Sequence, residues 1–227
     1  MRLFVGLLFI GFFSFFTAPE FTDWSGYNGG DNRNHFSPLT QINVSNVKNL
    51  KLAWSYSSGG ADTVNQTTQI QCNPIIIQGV LYGVSAGSQA FALDAKSGRE
   101  IWKTAIQEKT PSMNSRGVAF YSSPGQRSKI FFGYGSYLFA LDAKTGKPVE
   151  TFGEKGKINL LEGIKRPGSD DYTVLNTPIS IYKNTLIVGT RVSESAPALL
   201  GDIRAFDATS GRLIWTFHTI PKPGEYG

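Results

Sequence analysis

The sequence predicts an all-β fold: a β-propeller built of four-stranded blades. Three observations carry this. An eleven-residue phrase occurs three times, short apolar-alternating segments come in groups of four, and no long stretch has a helical period. The phrase runs ALDAKSGREIW from Ala92 to Trp102, ALDAKTGKPVE from Ala140 to Glu150, and AFDATSGRLIW from Ala205 to Trp215. Its aspartates, Asp94, Asp142 and Asp207, lie 48 and 65 residues apart. That is the spacing of propeller blades, with about 17 extra residues in the third unit.

Each phrase reads as strand, tight turn, strand. The Asp carboxylate accepts backbone N–H groups in the turn, and the glycine supplies a positive φ. Gly98, Gly146 and Gly211 are therefore the expected turn glycines. Trp102 and Trp215 follow on the next strand, where a large ring fills the space between neighbouring sheets. Glu150 holds that slot in the middle copy, and Phe152 is the substitute ring.

In chain order, residues 19–50 are polar and turn-rich, and residues 51–57 alternate as a strand. Residues 58–70 form a loop, and residues 73–85 read as two strands about Gln78-Gly79. Phe91 to Ala95 and Arg99 to Thr104 complete the first unit. The second has Gly117 to Tyr121, Ile130 to Tyr134, Leu138 to Asp142 and a ragged fourth strand. The third has Pro178 to Tyr182, Leu186 to Thr190, Ile203 to Asp207 and Leu213 to Phe217. Segments 105–116, 153–175 and 191–202 read as long loops, where function concentrates on a rigid scaffold.

The net charge of +5 over 227 residues is mild and scattered, so there is no nucleic-acid footprint. Residues 1–18 pair Arg2 with an apolar run from Leu3 to Phe16 that ends in Thr17-Ala18, the pattern of a secretory signal peptide. Pro19 disfavours cleavage after Ala18, which leaves an uncleaved membrane anchor as the alternative. The expected division is a signal peptide at 1–18 and a propeller segment at 19–227, with periplasmic export. Cys72, the single cysteine, excludes an internal disulfide.

Several of these segments resemble the quinoprotein dehydrogenases, which use pyrroloquinoline quinone (PQQ). The repeated phrase looks like their tryptophan-docking motif. The stretch from Trp24 through Tyr27-Asn28-Gly29-Gly30-Asp31 and Phe36-Ser37-Pro38-Leu39 to Ala53-Trp54 resembles the family's mature N-terminus. Ser115-Arg116-Gly117-Val118 resembles its cofactor-binding loop, and Gly201 to Asp207 ahead of Trp215 resembles its third blade. The nearest members are glucose- and alcohol-dehydrogenase-like.

The resemblance implies about three blades of an eight-bladed ring. It also implies that the tryptophan floor, the catalytic aspartate and the remaining metal ligands lie beyond Gly227, in an enzyme of which this chain is the N-terminal part. No catalytic residue is expected within the chain. Arg116 would pair with PQQ carboxylates, and Gln71, Thr177 and Thr190 are further cofactor contacts. Glu194 would ligate Ca²⁺. The implied reaction oxidises an alcohol or sugar and passes electrons to a quinone or cytochrome. The adjacent cysteines of many alcohol-oxidising relatives are missing from Thr110 to Ser115, where Pro111 or Met113 is the alternative cover for the quinone. His35 and His218 sit in no carboxylate pattern and read as structural. The rival reading is a non-catalytic propeller scaffold for envelope proteins, which would need neither Arg116 nor Glu194.

Overall fold

The computed structural model describes residues 23–66, 68–104 and 114–226. The signal segment 1–18 and the candidate covers Pro111 and Met113 lie outside them. Three four-stranded antiparallel sheets follow one another along the chain. The first contains β1 (Ile75–Ile77), β2 (Val80–Val84), β3 (Ala90–Asp94) and β4 (Glu100–Thr104). The second contains β5 (Ala119–Tyr121), β6 (Lys129–Tyr134), β7 (Tyr137–Asp142) and β8 (Lys157–Asn159). A two-stranded pair, β9 (Thr173–Val174) with β12 (Arg191–Val192), interrupts the third. That sheet contains β10 (Ser180–Tyr182), β11 (Thr185–Val188), β13 (Ile203–Asp207) and β14 (Leu213–Phe217). These are propeller blades, each a meander whose strands pair in chain order.

The phrase behaves as its chemistry dictates. Asp94 Oδ1 accepts the Ser97 N–H at 2.8 Å and the Ser97 hydroxyl at 2.7 Å. Asp142 Oδ1 does the same for Thr145 at 2.9 and 3.0 Å, and Asp207 Oδ1 for Ser210 at 2.7 and 2.8 Å. Gly146 has φ +68°, and a Cβ there would lie 2.5 Å from the Trp102 ring. Only glycine meets both demands. Trp102 is buried on that turn, and its Nε1–H donates to the Ala143 carbonyl at 2.9 Å. Trp54 covers Gly98 in the same way, donating to the Ala95 carbonyl at 3.2 Å.

Period-2 alternation explains how the middle blade is buried on both faces. Ile130, Phe132, Phe139 and Leu141 pack with Ile75, Tyr82, Val84 and Trp102 of the first blade. Phe131, Leu138 and Ala140 point the other way, onto Leu186, Val188 and Phe206 of the third. The alternate cluster also takes Phe152, whose ring centroid is 5.2 Å from that of Phe131.

Four expectations need correction. Residues 51–57 form no strand: the segment is held to the first blade by side chains, Trp54 on Gly98, Tyr56 donating to Glu100, and Lys103 donating to the Ser58 carbonyl. The fourth strand of the second blade is not in the phrase but at 157–159, because Pro148 allows only an isolated bridge to Leu141 before the chain turns back. Phe152 is buried between blades, yet the Gly211 turn is covered by the Gly153 backbone and Ile158 rather than by its ring. Loops 153–175 and 191–202 are not structureless, since β9 and β12 pair across them. In the third blade Trp215 is 42% exposed, with no sheet packed on it among the described residues.

The N-terminal segment laces the blades together at their leading strands. Trp24 exchanges backbone hydrogen bonds with Ile76 at 3.0 and 2.9 Å, and the Arg33 guanidinium donates to Ser180 Oγ at 2.7 Å.

Candidate cofactor site

A short segment precedes the leading strand of each blade, and the backbone ties the three segments together. The Asn73 N–H donates to the Arg116 carbonyl at 2.9 Å, and the Arg116 N–H donates to the Asn176 carbonyl at 3.0 Å. Arg116 therefore has both backbone groups fixed between two neighbouring blades, while its side chain is exposed. Ser115 is buried beside it, its hydroxyl donating to the Gly117 carbonyl at 3.2 Å.

Around this junction a cleft of about 540 Å³ is lined by Arg116, Asn176, Thr177, Gly189, Thr190, Arg191 and Glu194. The third blade supplies all but the first. The Thr177 hydroxyl donates to the Gly189 carbonyl at 3.2 Å, which ties the approach to β10 onto the end of β11. Beyond Thr190 the chain enters β12, whose pairing with β9 holds Arg191 opposite Val174. The Arg191 guanidinium donates to Glu194 Oε1 at 3.2 Å.

Four of the five residues expected from sequence thus meet in one cleft: Arg116, Thr177, Thr190 and Glu194. Gln71 lies outside this lining, and its side-chain amide donates to Gln69 Oε1 at 3.0 Å. Sequence reasoning missed Asn176 and Arg191. Asn176 had a signal: Asn73-Pro74-Ile75 and Asn176-Thr177-Pro178-Ile179 both place an asparagine just ahead of the proline that opens a leading strand. Arg191 had none, because its place in the cleft depends on the β9–β12 pairing. Among the described residues, no group of three or more His, Cys, Asp or Glu side chains is placed to hold a metal ion.

His218 departs from expectation. Its Nδ1 lies 2.9 Å from Asp202 Oδ2 and its Nε2 lies 3.8 Å from Glu225 Oε1, so it does stand between carboxylates. Neither Asp202 nor His218 lines the cleft.

The arrangement presents two guanidinia, one carboxylate, and amide and hydroxyl groups on a rigid junction. Guanidinium forks of this kind pair with carboxylates in a planar, bidentate geometry. Residues 24–226 match the family model for PQQ glucose/ethanol/alcohol dehydrogenase, β-propeller domain. The chain belongs to this PQQ dehydrogenase propeller family.

It is 30% identical over 228 residues to the glycerol dehydrogenase large subunit of Gluconobacter oxydans (strain 621H), covering 92% of this chain and 30% of that protein. It is 32% identical over 213 residues to the quinoprotein glucose dehydrogenase of Escherichia coli (strain K12), covering 86% and 27%. Among solved structures, the quinohemoprotein alcohol dehydrogenase from Comamonas testosteroni superposes with a TM-score of 0.72 at 27% identity, covering 90% of this chain and 28% of that one. The chain thus spans about 30% of the length of the curated relatives it matches. No described helix of this PQQ-family chain is long and apolar enough to cross a membrane.

Proposed function

We propose that this chain supplies the Arg116 wall of the cofactor site in a PQQ-dependent dehydrogenase that oxidises an alcohol or an aldose. The observation that carries the reading is the convergence of Arg116, Thr177, Thr190 and Glu194 on one cleft, in a chain of the PQQ family. Electrons would leave to a quinone or cytochrome. Export to the periplasm, with residues 1–18 as signal or anchor, belongs to the same reading.

The donor set fits the cofactor. Arg116 offers a planar fork to a carboxylate. Asn176, Thr177 and Thr190 add neutral hydrogen-bonding groups, so the cleft can hold an anion without a large excess of positive charge. Glu194 offers the hard oxygen that Ca²⁺ requires. It would be one ligand among the six to eight oxygens such an ion takes, the others coming from the cofactor and from elsewhere in the enzyme. When bound, PQQ supplies the two-electron acceptor and Ca²⁺ the Lewis acid that polarises its carbonyl. This chain's residues bind and orient: the backbone bonds on both sides of Arg116 fix the guanidinium's root against rotation of either blade.

Equilibrium titration with PQQ in the presence of Ca²⁺ tests the proposal. Arg116→Gln should weaken uptake about 10-fold or more, as expected for a charge-assisted hydrogen bond of roughly 1.5–3 kcal/mol. Unchanged PQQ affinity in that variant would remove the cofactor reading and favour a scaffold role.

A further inference from the structure

We propose that the groove between the first and second blades binds a neutral polyhydroxylated molecule, a sugar or polyol, through the Tyr82 hydroxyl and the second carboxylate oxygen of Asp142.

The groove has a volume of about 600 Å³ and shares no residue with the cofactor cleft. Two buried polar groups on its lining lack partners. Tyr82 is 6% exposed, with its ring packed on Trp102 and Phe120 at centroid distances of 6.0 and 6.2 Å. Its hydroxyl makes no hydrogen bond among the described residues. Asp142 is 9% exposed. Its Oδ1 is taken up by the turn, by the N–H groups of Lys144 and Thr145 and the Thr145 hydroxyl. Its Oδ2 accepts no hydrogen bond among the described residues. Buried polar groups are nearly always paired, because leaving one unpaired costs its full desolvation. Burial, and then the Asp142 charge, push the Tyr82 hydroxyl above its usual range, so it keeps its proton to donate.

The joint between second and third blades shows what fills such a place. There the Asn184 side-chain amide donates to Asp207 Oδ2 at 2.6 Å, and its Oδ1 accepts the Tyr121 hydroxyl. One neutral amide thus bridges the aspartate of the phrase and a tyrosine of the preceding blade. Ser128 holds that position at the first joint: its carbonyl accepts the Ala143 N–H as the Asn184 carbonyl accepts the Ala208 N–H, both at 2.9 Å. Its hydroxyl donates to Ser122 Oγ at 3.1 Å and bridges nothing. The ligand takes the part of the missing amide, a neutral group that both donates and accepts.

Charge and surface select the class. The buried Asp142 carboxylate repels an anion, while Arg127 and Lys144, exposed on the same lining, repel a cation. A ligand hydroxyl meets both demands, donating to Asp142 Oδ2 and accepting from Tyr82. The C–H face of the ligand covers the apolar surface of Ile77, Val80, Ile101 and Phe120, and its other hydroxyls reach the two cations. One water would satisfy the polar pair but occupies only about 30 Å³.

Methyl NMR of the full chain, titrated with D-glucose and with glycerol in the absence of PQQ, tests the assignment. Methyl signals of Ile77, Val80 and Ile101 should shift and saturate. Tyr82→Phe removes a hydroxyl that no protein group uses, so it should fold as the wild type does and weaken glucose binding roughly 3- to 10-fold. Ser128→Asn restores the bridging amide and should abolish the shifts while melting no lower than wild type. A groove filled by water alone would give no shift with either compound, which would overturn the proposal. So would an unchanged affinity in either variant. Shifts produced by acetamide but not by glucose or glycerol would overturn the polyol assignment in favour of an amide ligand.

Discussion

Single side chains show how burial and hydrogen bonding set reactivity in this chain. Cys72 is partly buried, and its sulfur accepts the Val84 N–H at 3.3 Å. Burial pushes the thiol up to about 11, a shift the Val84 bond only partly offsets. The thiolate is the reactive form, so little of the thiol is reactive at pH 8. Iodoacetamide should therefore label Cys72 in the folded chain far more slowly than in urea, and equal rates would contradict the burial. Asp207 moves the opposite way. Its partial burial favours the neutral acid, but the Ser210 N–H and hydroxyl, the Thr209 N–H and the Arg212 charge together hold its carboxyl below the usual range. A carboxyl depressed by folding adds stability above its unfolded value near 4, and that stability is lost as pH falls through the folded value. Asp207→Asn should melt lower than wild type at pH 7, and the gap should close as the pH falls below the usual carboxylate range. A gap independent of pH would show that the charge on Asp207 is not what the turn uses.

Between elements, the docking of a tryptophan on the next blade's turn is the joint that repeats. Trp102 is 8% exposed, lies on Gly146 and donates to Ala143, so it joins first and second blades by packing and by a hydrogen bond at once. Trp102→Ala should cost about 3–5 kcal/mol, the usual range for removing a buried large aromatic. Urea unfolding followed by circular dichroism would measure it, and a loss under about 1 kcal/mol would mean that the joint is held elsewhere. Sequence showed this joint clearly, because each eleven-residue phrase names a turn glycine and, four residues later in two of its copies, the ring that covers a turn. It did not show the second joint. There Glu150 stands in the ring's slot, and the chain covers Gly211 with the Gly153 backbone and Ile158 instead. A backbone cover leaves no residue-type signature. The same holds for β9 and β12, two residues each, which are too short for any period to register yet position the Arg191 side of the cleft.

Over the whole molecule, three blades stand in chain order, and their leading strands are stitched through Asn73, Arg116 and Asn176. The middle blade is covered on both faces, whereas the outer strand of the third presents Ile214, Trp215 and Phe217 to solvent. The sequence by itself determined the blades: the Asp and Gly of each phrase dictate a turn through local hydrogen bonds and a positive φ, and alternation dictates which faces are apolar. It also marked Arg116, Thr177, Thr190 and Glu194 through a family resemblance. What only tertiary structure decided is that these four share a cleft with Asn176 and Arg191, while Gln71 stands apart. Their convergence depends on backbone bonds between blades and on a two-residue strand pair, contacts between residues far apart in the chain that no local pattern encodes.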